Sequence, residues 1–169
     1  DFVRHGAAAS AALFLPRRAW LGGHLPRAGS YLVPMDDAQD DHLKAYGLAF
    51  RALQRGEQGE GWLNHRGGTF WLQGSSALQR DAALTGVTLE PVDDGAVTTM
   101  KGEIQASNMD AIPLEKVPRV AVYAPPDAAP WDDAVTMVLK YAGIEFDRVW
   151  DPEVIGAGLV NYDWLHLHH

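Results

Sequence analysis

Residues 119–150 read RVAVYAPPDAAPWDDAVTMVLKYAGIEFDRVW, and this stretch decides the fold class. Arg119–Ala124 (RVAVYA) is a run of small and β-branched residues that halts at Pro125-Pro126, which predicts a buried strand. Trp131, Val135, Val138, Leu139 and Ala142 then recur at helical spacing, and Gly143 supplies a stop. Asp132 and Asp133 fall in the first turn of that helix, where carboxylates meet the positive end of its dipole. Phe146–Trp150 reads as a second strand, Pro152–Ala157 as a short helix or turn, and Tyr162–His168 as a third strand. Strand, helix and strand in succession predict parallel β-α-β connectivity with right-handed crossovers. The expected fold is α/β: a three-layer, mostly parallel sheet with its first strands in residues 118–169.

Working back toward the amino terminus, Ala106–Val117 (ASNMDAIPLEKV) has no clean period and reads as a connector. Before it, residues 31–105 form a second α/β unit. Tyr31-Leu32-Val33 is a short strand ending at Pro34, and Asp36 with Gln39 has the spacing of a capping box. Leu43, Tyr46, Phe50 and Leu53 predict the core face of the helix that follows, with Gly56 as its stop. Gly59–Leu72 (GEGWLNHRGGTFWL) reads as two aromatic-rich strands flanking Asn64–Gly68. Ser75 caps a second helix that ends at Gly86, Val87–Pro91 is a further strand, and Asp93–Ile104 is a weak helix.

Composition sets outer limits. The 169 residues carry a formal charge of -8 and no cysteine. Disulfides, zinc–thiolate sites, iron–sulfur clusters and thiol nucleophiles within these residues are thereby excluded. An acidic chain lacks the clustered cations that phosphate backbones need, so no nucleic-acid partner is expected. Residues 1–30 differ from the rest, with Arg4, Arg17, Arg18 and Arg27 against Asp1 and an apolar run at Gly6–Leu15 (GAAASAALFL). That is the pattern of a secretory leader, although Arg17-Arg18 interrupt it. A true leader implies export to the periplasm or envelope, and a leader without signal function implies a cytoplasmic chain. No run reaches the roughly 18 apolar residues of a membrane-spanning helix.

Tyr31–Asn64 (YLVPMDDAQDDHLKAYGLAFRALQRGEQGEGWLN), Arg66-Gly67-Gly68, Asn108-Met109-Asp110, Leu114–Tyr123, Trp131–Val135 and Tyr162–His169 (YDWLHLHH) resemble, in order, a bacterial family known as asparagine synthetase B. The resemblance spans residues 31–169. It implies, for residues 118–169, the opening of a flavodoxin-like, class I glutamine amidotransferase-like sheet that continues past His169. It also implies a cysteine nucleophile on a later strand-to-helix turn, in a missing carboxyl-terminal portion of the same protein. A chain ending on Leu165–His169, read as a central strand with no covering helix, carries the same expectation of an amino-terminal fragment. Familiar glutamine-dependent asparagine synthetases use an amino-terminal cysteine and a Gly/Ser-rich nucleotide loop, and neither is present here. The resemblance therefore brings the family name without that mechanism.

Three sets of residues are candidate sites. The carboxyl ends of parallel strands line ligand crevices in open α/β sheets. There, His166 and His168 share one strand face, and with His169 they form the candidate catalytic group, as a general base or metal ligands. The plainer account is histidines satisfied by backbone and solvent, and with no third ligand of known geometry no resident metal is expected. Asp132 and Asp133 are candidate ligand-binding residues whose plainer role is to open the helix. Asn64, Arg66, Gly67 and Gly68 form the third set. A glycine pair permits positive φ and close backbone approach, and an adjacent arginine clamps a carboxylate or phosphate bidentately. Its plainer account is a hairpin turn with a solvated charge. No cofactor is expected. Two functions remain open: part of an amidotransferase-like enzyme acting on a small-molecule amide, or a non-catalytic ligand-binding or envelope-associated α/β protein.

Overall fold

The computed structural model describes residues 29–129 and 133–167. The leader through residue 28, Trp131, Asp132, His168 and His169 lie outside these described residues. In chain order the elements are β1 (Ser30–Val33), α1 (His42–Gln54), β2 (Gly59–Leu63), β3 (Phe70–Gln73), α2 (Ser76–Thr85), β4 (Glu90–Val92) and α3 (Asp94–Ala106). They continue as β5 (Asp110–Pro113), β6 (Val120–Tyr123), α4 (Ala134–Ala142), β7 (Asp147–Val149), α5 (Asp151–Ile155), a 3-10 turn (Gly158–Asn161) and β8 (Trp164–Leu167).

The strands form two sheets. The first has five strands in the order β4-β1-β3-β2-β5, and every pairing in it is antiparallel. The second has three strands in the order β7-β6-β8, both pairings parallel. The chain is therefore α/β, but the expectation of a mostly parallel sheet holds only for the second unit. The tight link between β2 and β3 permits only antiparallel pairing, and side-chain period carries no information about strand direction. From β1 to β4 the first sheet has the split β-α-β-β-α-β plan, with its central strands in the ferredoxin-like order.

Alternation along β1 organises the first core. Val33 faces α1 and α2, packing with Leu48, Ala49, Leu72, Leu78 and Ala82. Leu32 faces the other way, where α3 brings Val97 and Ile104 against Trp62. Trp62 is fully buried, and burying a side chain of this kind contributes about 2–3 kcal/mol. Local signals at α2 act as expected: Ser75 accepts from Leu78 N at 2.9 Å and Gly86 takes the left-handed conformation at φ 75.

Three local expectations are corrected. The Asp36/Gln39 pair does not cap α1; Asp36 accepts from Ala38 N at 3.1 Å to close a turn, and Asp41 caps the helix by accepting from Lys44 N at 3.0 Å. The buried face of α1 is Ala45, Leu48, Ala49 and Ala52, whereas Leu43 and Tyr46 are exposed and Phe50 is buried. Small side chains let the helix settle closely on the sheet, and the larger stripe is displaced to its flank. Residues 106–117 are more than a connector, because β5 pairs with β2 from Leu63↔Asp110 to Glu60↔Pro113. As an edge strand with exposed side chains, β5 shows no alternation. Among the described residues the parallel sheet has β6 between β7 and β8.

The two units meet where α1 crosses α4. Gly47 makes the approach possible: a Cβ there would lie 1.7 Å from the Ala142 carbonyl oxygen. Arg51 Nη1 donates to that same carbonyl at 3.1 Å, Gln54 donates to Glu145 at 2.8 Å, and the Tyr141 hydroxyl donates to Asp41.

Candidate functional site

At the carboxyl end of the parallel sheet, register brings together residues far apart in sequence. Val122 of β6 lies between Arg148 of β7 and His166 of β8, all three on one face. Two strand spacings separate the outer pair, about 10 Å between their backbones. Val122 is fully buried, and Ala128 and, from α4, Val135 pack against the core cluster to which it belongs.

Asp133 fixes the histidine. His166 Nε2 lies 3.2 Å from Asp133 Oδ2 and 3.4 Å from Oδ1, and both side chains are mostly buried. The same carboxylate caps α4, accepting from Val135 N at 3.2 Å, Thr136 N at 3.1 Å and Thr136 Oγ1 at 2.8 Å. Partial burial pushes the Asp133 carboxyl up, but hydrogen bonds from Thr136, Val135 and His166 outweigh it and hold the group down at about 2. An ionised Asp133 facing Nε2 favours the proton on that nitrogen and leaves the Nδ1 lone pair as the basic atom. On the other flank, Arg148 Nη2 donates to the Ala128 carbonyl at 2.8 Å, which tethers the guanidinium beside the loop.

The opposite face of the same edge is aromatic. Tyr123 stacks on Trp150 with ring centroids 4.7 Å apart, and its hydroxyl donates to Asp151 at 2.6 Å. That hydrogen bond, with lesser help from burial, raises the Tyr123 phenol.

The Asn64–Gly68 turn lies in the first unit, as a hairpin link in which Asn64, Arg66, Gly67 and Gly68 all have positive φ. Its unusual features are turned inward. A Cβ at Gly67 would lie 2.1 Å from the Met35 carbonyl oxygen, so the close approach is to the protein's own backbone. The Arg66 guanidinium grips two carboxylates, Glu90 at 2.6 and 2.9 Å and Asp36 at 2.7 and 3.3 Å. These bonds, Glu90 first, raise the Arg66 group further above its ordinary value. Beside it, burial and then the Arg66 charge depress His65, whose ring sits edge-on to Trp62 at 5.4 Å. Arg66 thus makes its paired carboxylate contacts with Glu90 and Asp36 of its own chain.

Of the residues singled out in the sequence, His166 and Asp133 are brought into contact, and the 64–68 turn stands apart from them in the other unit. Arg148 was not singled out. Its position two residues before Trp150 carries no motif, and only the β6–β7–β8 register aligns it with His166. Among the described residues no group of three or more His, Asp or Glu side chains is placed to hold a metal ion, and no helix is long and apolar enough to cross a membrane. Comparison with protein-family models, curated proteins and solved structures returns no match for this chain.

Proposed function

We propose that this chain is the amino-terminal part of an amidotransferase-like α/β protein, and that the carboxyl edge of β7-β6-β8 contributes to a site for a small amino-acid amide. In this reading the parallel strands open a larger flavodoxin-like, three-layer sheet of the kind the asparagine synthetase B resemblance implies. The observation that carries the proposal is the Asp133–His166 pair at the carboxyl end of parallel strands. His166 accepts or returns a proton through Nδ1, Asp133 holds the ring in that tautomer, and Arg148 anchors a substrate carboxylate. Bond breaking is not assigned to a residue of this chain, which has no cysteine.

L-glutamine is the probe. Titrated into the labelled chain, it is expected to move the His166 ring resonances without being hydrolysed, and Arg148→Gln is expected to abolish the movement. Unmoved His166 signals at saturating glutamine would sink the proposal. In a second reading, a binding protein without chemistry, Arg148 anchors the ligand and the Asp133–His166 pair serves only to brace the start of α4. Glutamine affinity unchanged in His166→Gln would support it, because a pure binding site needs no proton acceptor.

A further inference from the structure

A cavity of about 370 Å³ lies at the other end of the parallel sheet, where the carboxyl-terminal half of α1 faces the amino ends of β6 and β7. Its volume falls in the range of small-molecule sites, and such sites favour the junction of two units. Phe50 and Gln54 enter from the first unit; Arg119, Glu145, Phe146 and Asp147 enter from the second.

The charges here are opposed but not closed on one another. Arg119 and Glu145 each lie two residues ahead of the paired Ala121 and Asp147. Neighbouring charges of opposite sign would ordinarily join as an ion pair. Instead the Arg119 guanidinium rests over the Tyr162 ring at 5.4 Å and joins no ion pair among the described residues. Glu145 is drawn the other way, accepting from Gln54 at 2.8 Å across the unit boundary. Asp147 also lines the cavity, and its carboxylate accepts from the Tyr162 hydroxyl. A cation and two anions therefore flank one cavity, with Phe50 and Phe146 supplying apolar surface.

We propose that this cleft binds a free α-amino acid with an apolar side chain. Its carboxylate meets Arg119, its ammonium meets Glu145 and Asp147, and its side chain lies against Phe50 and Phe146. The ligand bridges the two units and tightens the α1–α4 contact. This site is independent of the carboxyl-edge site, since the two lie at opposite ends of β6.

Calorimetric titration of the chain with L-leucine tests it. Leucine is expected to bind, while 4-methylpentanoate, which lacks the ammonium, and isopentylamine, which lacks the carboxylate, are expected to bind at least about tenfold more weakly. Arg119→Gln and Glu145→Gln should each weaken leucine by a similar factor, and His166→Ala should leave it unchanged. Thermal melts of each variant separate lost binding from lost folding. No heat at millimolar leucine, equal binding of either single-charge analogue, or full affinity in a folded Arg119→Gln chain would overturn the assignment.

Discussion

The antiparallel unit and the parallel unit solve the same problem, burying a sheet, to different extents. In the first, helices cover both faces, and the cores on the two sides include Leu48, Leu72 and Leu78 on one and Trp62 and Ile104 on the other, all fully or almost fully buried. In the second, the core among the described residues is built on Val120, Val122, Ala124 and Leu139, while Trp164 of β8 is 48% exposed and Ile155 of α5 is 84% exposed. The first unit is held by its own contents. The second leans on the first through Gly47, Arg51 and Tyr141. The contrast also bears on function, because both candidate sites use the parallel strands, where side chains are less committed to packing.

The strongest way to break this comparison is Trp62→Ala. Loss of a fully buried aromatic is expected to cost about 3–5 kcal/mol in denaturant unfolding. Because the parallel unit depends on α1, both units should unfold in one transition; a Trp150 fluorescence change separated from the main transition would show instead that they are independent.

Gly47→Ala tests the junction itself. The new methyl meets the Ala142 carbonyl, and the expected loss is about 1–3 kcal/mol, concentrated in hydrogen-exchange protection of α4 and β6. Unchanged protection there would mean that the contact does not support the second unit. Gly67→Ala is the matching change within the first unit, with strain from both φ 79 and the Met35 carbonyl. It should lower the denaturation midpoint while leaving α4 exchange as it was.

Acid sharpens the comparison further. The Asp133 carboxyl is held below the ordinary aspartate value, so its contribution to stability is complete above about pH 4 and drains away as pH falls toward about 2. Denaturation midpoints across that interval should fall less steeply in Asp133→Asn than in the parent chain, and parallel slopes would remove the Asp133–His166 brace from the account. The smallest effect is expected from Ile155→Ser on the open side of the second unit, within about 0.5 kcal/mol. A larger loss would show that this side chain is buried against something.

Much of the local structure was legible along the chain. The Ser75 cap, the Gly86 and Gly143 stops, the hairpin around residues 64–68 and the β-α-β rhythm of residues 119–150 depend on chemistry within a few residues. The pairing of β5 was not legible, because an exposed edge strand has no pattern to read. Nor was most of the buried face of α1, where Ala45, Leu48, Ala49 and Ala52 do the packing and, of the larger residues that looked like core, Phe50 is buried while Leu43 and Tyr46 are exposed.

The sequence by itself marked the helices and the strands other than β5, the acidic and cysteine-free character of the chain, and the candidacy of His166, Asp133 and Arg66. Only the tertiary structure decided what those residues face. Arg66 finds its carboxylates 30 residues upstream and 24 downstream, and Asp133 meets His166 across 33 residues. Strand order and direction choose such partners. They follow from which surfaces bury together across the whole fold, and the period of side chains along one segment does not encode them.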